Sequence, residues 1–255
     1  MEACHLEQRE ELGILHLHAG AANALNARVI GALADGLRQA TAARLKGLVL
    51  TGYDRFFSAG LDLISVYEYD RRRMAEFIAE FDREFQQFFA HPKPVIAAIN
   101  GAATAGGCIL ALACDYRIMA KSAKIGLSEI QLGLPLPASA FEIARHAIPS
   151  LHHVEVFYSG KSFEAQEALN LGLVHEIAPP EKLLEAALVR LRSFTDHPGE
   201  ACGTLKTMLR APALERMEQN FDQMREVFLE AWFSPAARST IGALREKLLA
   251  KKTTG

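Results

Sequence analysis

The stretch that most constrains this chain runs from Asn100 to Asp115, NGAATAGGCILALACD. The apolar run Pro94 to Ile99, PVIAAI, leads into it and reads as a buried strand. Small residues and a Gly-Gly pair then open a helix from Gly107 to Ala113. Small side chains at a strand-to-helix turn let a ligand approach the backbone closely. The first N–H groups of a helix have no internal acceptor, and the helix dipole favours negative charge beside them. The pattern therefore builds a place near Gly106 for an oxygen that gains charge. Tight strand–helix packing would use the same residues and is the competing reading.

A second turn of this kind lies upstream. Leu45 to Thr51, LKGLVLT, reads as a strand, and Gly52 to Leu63, GYDRFFSAGLDL, follows as an irregular loop with small residues and a helix start. Two such turns, each after a parallel-type strand, suggest two backbone donors converging on one oxygen, which is an oxyanion hole. Downstream, Lys124 to Leu134 reads KIGLSEIQLGL, and Glu129 stands among Ile125, Leu127, Ile130 and Leu132. A carboxylate with apolar neighbours has its pKa raised by desolvation, which suits proton transfer. A solvent-facing Glu on a turn is the alternative.

Other features bound the function. The chain has 255 residues, half of them apolar, compatible with one large domain or a domain with an appendage. A net charge of −2 argues against broad nucleic-acid binding. No apolar run is long enough to span a bilayer, and the charged N-terminus lacks a signal-peptide core. Cys4, Cys108, Cys114 and Cys202 match no zinc or redox spacing and read as reduced thiols of a cytoplasmic protein, with Cys108 and Cys114 packed in the core. His16 and His18 share a strand face without a third metal ligand nearby. Ser139 and His146 have no orienting acid at a known spacing.

Taken in order, Gly13 to His18 alternates as a half-buried strand, and Asn26 is placed to cap a helix to about Ala42. From Tyr67 to Ala90 the chain reads as a helix whose Phe77, Phe81, Phe85, Phe88 and Phe89 form a core-facing stripe. Tyr116 to Ala120 is a strand, and Ala138 to His146 a helix. Phe163 to Leu171 is predicted helical, Leu173 to Ile177 a strand, and Glu181 to Phe194, Gly199 to Arg210, Ala213 to Trp232 and Pro235 to Leu249 helices. No internal repeat is visible. Strand–helix alternation followed by helices predicts an α/β core with a helical C-terminal region.

These residues resemble the crotonase superfamily, the enoyl-CoA hydratases and isomerases. The matching pieces are NAL at Asn23, VLTG at Val49, FSAGLDL at Phe57, PVIAAINGAATAGGC at Pro94, CDYRIMA at Cys114, GLSEIQLGL at Gly126 and LNLGLVHEI at Leu169. They keep order and spacing over nearly the whole chain. The resemblance implies a spiral of ββα repeats over residues 1–195 holding an acyl-CoA site, and a helical oligomerisation region over 196–255 that forms trimers or hexamers. It places the oxyanion amides at Leu61 and Gly106, and substrate contacts at Ala59, Gly60, Asp62, Leu63, Gly107, Ile109 and Leu132. No metal or separate cofactor is implied, because coenzyme A arrives as part of a fatty acyl-CoA substrate.

Hydratases of this family usually carry two glutamates. One of those positions is Ile109 here and the other is Glu129. The closer resemblance is to mitochondrial-type isomerases, which implies a 3-enoyl-CoA to 2-enoyl-CoA shift with Glu129 as single base. Hydration, thioester hydrolysis and non-catalytic acyl-CoA binding are the alternatives. A basic residue often precedes NAL in relatives, where Ala21-Ala22 stand here. Arg28, Arg71 to Arg73, or the C-terminal Lys247, Lys251 and Lys252 of a neighbouring subunit are substitute candidates for the CoA phosphates.

Overall fold

The computed structural model describes residues 3–20 and 22–253, with side chains to residue 250. Ala21, and the side chains of Lys251 and Lys252, therefore lie outside the described residues. The strands are β1 (Cys4–Arg9), β2 (Leu12–Leu17), β3 (Gly47–Thr51), β4 (Phe56–Ser58), β5 (Val95–Ile99), β6 (Ala102–Thr104), β7 (Tyr116–Ala120), β8 (Lys124–Gly126), β9 (Phe163–Glu164) and β10 (Glu176–Ala178). The helices are α1 (Ala27–Ala42), α2 (Leu63–Val66), α3 (Arg71–Ala90), α4 (Gly106–Leu112), α5 (Ala138–Ala147), α6 (His153–Ser159), α7 (Ala165–Asn170), α8 (Leu183–Thr195), α9 (Ala201–Trp232) and α10 (Pro235–Thr253).

The runs β3 and β5, apolar except for Thr51, are buried along their whole length, as expected of parallel strands covered on both faces. They lie inside a six-stranded sheet of order β1-β2-β3-β5-β7-β10, in which only β1 runs antiparallel to its neighbour. The shorter strands form a second sheet, β4-β6-β8-β9. The chain thus alternates between sheets. β3, β5 and β7 each enter the large sheet, and the next strand, β4, β6 or β8, enters the small one before a helical segment follows. This is a ββα repeat made three times. It is invisible as sequence self-similarity because the units share only an apolar strand, a short strand and a helix start.

Local chemistry explains the helix boundaries. The Asn26 side chain accepts from Val29 N–H and caps α1, and Asp70 caps α3 through Arg73 N–H. The five phenylalanines of α3 are buried, as their spacing predicts. Several expectations need correction. The N-terminal charged stretch contains β1, stabilised by its hairpin with β2 rather than by its own apolar content. Phe163-Glu164 is a strand, and the following helix is shorter than predicted. Leu173 and Val174 are core residues of a turn, so the strand after them starts only at Glu176. The two helices predicted around Pro212 are one 32-residue helix, α9. Proline removes an internal hydrogen bond, but α9 is held on both sides of it by packing on α3 and α5. Among the described residues no helix is long and apolar enough to cross a membrane.

The helical C-terminal region is tied to the core by charge as well as packing. Asp115, at the start of β7, accepts from Lys206 Nζ and Arg210 Nη2 of α9, each at 2.7 Å. It also accepts from Val95 N–H at 2.7 Å.

Candidate active site

Because β4, β6 and β8 are neighbours in the small sheet, the segments that leave their ends are neighbours too. The first repeat exits through Ala59-Gly60-Leu61, the second through Ala105-Gly106, and the third through Ser128-Glu129. All but Gly60 line one cleft of about 1320 Å³. Three consecutive repeats therefore place equivalent segments around one space.

At the first two exits the backbone supplies donors. Leu25 N–H donates to Gly60 O and Asp62 N–H donates to Leu25 O, so the Leu61 amide faces away from this bridge. Among the described residues neither Leu61 N–H nor Gly106 N–H donates to any protein acceptor. A Cβ added to Gly106 would sit 3.9 Å from Leu61 N, so the two amides share one small space. Gly60, at φ +79°, makes that approach possible, since a Cβ there would fall 2.9 Å from Gly106 N. Ala105 holds φ 52° and ψ −126° immediately before Gly106. That conformation is costly for a residue with a Cβ, by about 1–3 kcal/mol, and it turns the Gly106 amide out of the strand. Two free amides beside one small space are the arrangement an oxyanion hole requires.

The third exit supplies a carboxylate. Glu129 opens a 3-10 turn, Glu129–Leu132, closed by Gly133 at φ 72°. Its Oε2 is sealed from solvent and has no hydrogen-bond partner. Burial pushes its pKa up to about 7, against a smaller opposing effect from the backbone amides of Glu129 and Ser128. No cation and no second carboxylate contributes to that shift. Cys108, fully buried nearby, has its thiol pushed up by burial and then by the Glu129 charge, so it offers no competing thiolate.

Ile109, Leu132, Ala59, Asp62 and Leu63 line the same cleft. Asp62 is not a free acid there. It caps α2 by accepting from Ser65 N–H at 3.3 Å, and it also accepts from Ser65 Oγ at 2.6 Å and from Asn26 Nδ2 at 3.2 Å. Gly60 and Gly107 do not line the cleft. Gly107 is a packing position, because a Cβ would lie 2.1 Å from Ser58 O. Both readings of the glycine-rich turn thus hold, one glycine apart.

Residues that sequence reasoning missed form the apolar wall. Phe228 of α9 and Leu244 and Leu248 of α10 face the cleft beside Ile78 and Phe81 of α3. The four-residue spacing of Leu244 and Leu248 was their only sequence signal. The lining also includes the charged residues Arg28, Asp54 and Arg55. Arg28 is thus at the cleft, whereas Arg71 pairs with Glu226 and Glu230, Arg72 with Glu76, and Arg73 lies over Tyr69. Arg71 to Arg73 do not line the cleft. Ser139 donates to Asp82, and His146 packs edge-on to Phe89, so they make no nucleophile pair. Among the described residues no group of three or more His, Cys, Asp or Glu is arranged to hold a metal ion.

The family profile described as Enoyl-CoA hydratase/isomerase matches residues 7–251. The chain belongs to the enoyl-CoA hydratase/isomerase family. A probable enoyl-CoA hydratase of Bacillus subtilis is 32% identical over 251 residues, covering 97% of each chain. The mitochondrial enoyl-CoA delta isomerase 1 of Rattus norvegicus is 31% identical over 203 residues, 77% of this chain and 68% of that protein. The crystal structure of human mitochondrial delta3-delta2-enoyl-CoA isomerase matches with a TM-score of 0.91 at 25% identity, covering 98% of this chain and 99% of that one. Hydratase and isomerase names both occur among the relatives, so membership of the family leaves the choice of reaction to the residues of the cleft.

Proposed function

We propose that this enoyl-CoA hydratase/isomerase family protein is an isomerase that moves the double bond of a 3-enoyl-CoA to the 2-position. The observation that carries the reading is that Glu129 brings a buried carboxylate with an unpartnered Oε2 to a cleft whose other acids are engaged, Asp62 in capping α2 and Asp54 beside Arg55, and that Ile109, at the position where the family resemblance puts the hydratases' other glutamate, lines the same cleft. Hydration needs a water held and deprotonated while a proton is delivered, work that two carboxylates share. A 1,3-shift needs one base. Glu129 takes a proton from C2, breaking that C–H bond, and the electrons delocalise into the thioester as a dienolate. The amides of Leu61 and Gly106 stabilise its oxygen. Glu129 then returns the proton to C4, leaving the double bond between C2 and C3. Ile109 keeps the site dry, which discourages hydration and supports the raised pKa of Glu129.

The charged residues Arg28 and Arg55 of the cleft suit the coenzyme A phosphates, and the apolar lining suits the acyl tail. Coenzyme A enters with the substrate, and no further cofactor takes part in this reading. The exposed Leu205, Met208 and Leu209 of α9, with Leu151, Val154 and Tyr158 near α6, favour assembly into a homotrimer or hexamer.

The test is purified protein with 3-hexenoyl-CoA, following the absorbance of the conjugated enoyl product. Isomerisation is expected, and Glu129→Gln should slow it about 10²–10⁴-fold while acyl-CoA affinity changes little. 3-Hydroxyacyl-CoA as the main product would overturn the reading in favour of hydration, free thiol release would favour hydrolysis, and binding without turnover would favour a non-catalytic role.

A further inference from the structure

α10, which supplies Leu244 and Leu248 to the apolar lining of the cleft, meets the connection between α2 and α3 at Tyr67. Tyr67, half-buried between α2 and α3, lies under two guanidinium groups of α10. The Arg238 guanidinium carbon is 3.6 Å from the ring centroid and that of Arg245 is 5.1 Å away. Arg238 Nη1 also donates to Tyr67 O at 2.9 Å, and Arg245 Nη2 pairs with Glu68 at 2.6 Å. Between these arginines α10 carries Gly242. A Cβ there would come within 2.9 Å of the Tyr67 hydroxyl and 3.5 Å of the ring carbon that bears it. The helix thus rests directly on the phenol, one glycine wide. One turn further along are Leu244 and Leu248, which line the cleft. α10 also packs on the turn that carries Glu129.

Resting on the assignment of an acyl-CoA substrate above, we infer that Tyr67 is a positioning residue for acyl-chain length. It touches no reacting atom. It sets how closely α10 closes over the tail, and hence how many methylenes the site buries against Leu244 and Leu248. A cation held over an aromatic face is a modest electrostatic attraction. That is firm enough to hold a helix and weak enough for a bulky tail to displace it. Gly242 is the complementary half. Alanine is the better helix former at such a position, so glycine in mid-helix is explained by the contact with the hydroxyl.

The contact itself supplies the test. Gly242→Ala drives a methyl group into the Tyr67 hydroxyl and displaces α10. Adding Tyr67→Phe removes that hydroxyl, keeps the ring beneath both arginines and leaves ordinary contact. Affinities of saturated butyryl-, hexanoyl-, dodecanoyl- and hexadecanoyl-CoA are measured by calorimetry for the wild-type chain, Gly242→Ala, Tyr67→Leu and the Gly242→Ala/Tyr67→Phe pair. Dodecanoyl-CoA binding should weaken about tenfold in Gly242→Ala and in Tyr67→Leu, the loss of contact to one or two methylenes. Butyryl-CoA binding should change less than about twofold, because a short tail does not reach the wall. The double variant should recover the wild-type profile. Loss of the same size at every chain length, or no recovery in the double variant, overturns the proposal. Should Tyr67→Leu fold poorly, the Gly242 series decides alone. Saturated thioesters undergo no isomerisation, so the binding series is decided independently of whether the chain isomerises 3-enoyl-CoA.

Discussion

Glu129 has been moved to the middle of the physiological pH range by burial alone. In the proposed isomerisation, with the Glu129 pKa at about 7, the base form that would remove a C2 proton is lost as the pH falls below neutrality. The rate of isomerisation should therefore decline about tenfold per pH unit well below 7, and kcat/KM against pH should report that single ionisation. The same shift has a stability consequence. The carboxyl binds its proton more tightly in the folded chain than at its ordinary value of 4.5. The resulting stabilisation is present below about pH 4.5 and is lost as the pH rises through about 7, up to about 3 kcal/mol in all. Glu129→Gln should thus gain stability relative to wild type between pH 5 and 8, read by denaturant titration at both values. Neighbouring glycines separate activity from folding. Gly106→Ala puts a methyl group 3.2 Å from Leu25 Cδ1 and beside both donor amides, and should fold while losing most turnover. Gly107→Ala meets the Ser58 carbonyl at 2.1 Å and should fold poorly, by about 1–3 kcal/mol or more, in thermal melts. At this scale the small-residue turn near Gly106 and the apolar neighbours of Glu129 were legible in the sequence itself, whereas Leu61 was singled out only through the family resemblance. The sequence was silent about Ala105, whose φ of 52° no alanine advertises.

At the scale of elements, α9 and the Asp115 cluster show what reading one segment at a time misses. Pro212 looked like a helix end because local propensity counts only the lost hydrogen bond. Long-range packing on α3 and α5, and the Lys206 and Arg210 pairs to Asp115, lie far away in sequence and keep the helix continuous. Burial holds the Lys206 pKa down to about 8 even with Asp115 in contact, so desolvation outweighs the pairing. Replacing Asp115 with Asn would leave two cations buried without a counter-charge. A loss of about 3–5 kcal/mol in stability is expected, measured by denaturant unfolding. β1 was missed for a related reason. CHLEQR is polar, and only its register against β2, from Cys4 opposite Leu17 to Arg9 opposite Leu12, makes it a strand. Elements fixed by their own apolar period, such as β3, β5 and α3, were legible from sequence.

For the whole molecule, the α/β class and the helical C-terminal region were legible from the alternation of strands and helices. The threefold ββα path was not, because it is a repetition of topology with no repetition of residues. Its exposed apolar faces bear on assembly. Light scattering should give a particle of three or six chains, and Leu209→Glu, at an exposed position of α9, should shift it toward single chains. A monomer in the unaltered chain would overturn that expectation.

In the function proposed above, the two donor amides belong to the main chain, held by strand ends and glycines, whereas what moves near the thioester would rest on side chains such as Glu129 and Ile109. Random substitution reaches these two layers unequally. A lineage built on this scaffold can exchange position 109 and drift from one chemistry to another without rebuilding its means of activating a carbonyl. It can equally shed turnover and persist as a carrier. Overall likeness among such proteins is therefore a record of inherited activation, and each descendant's reaction has to be read at those few interchangeable side chains.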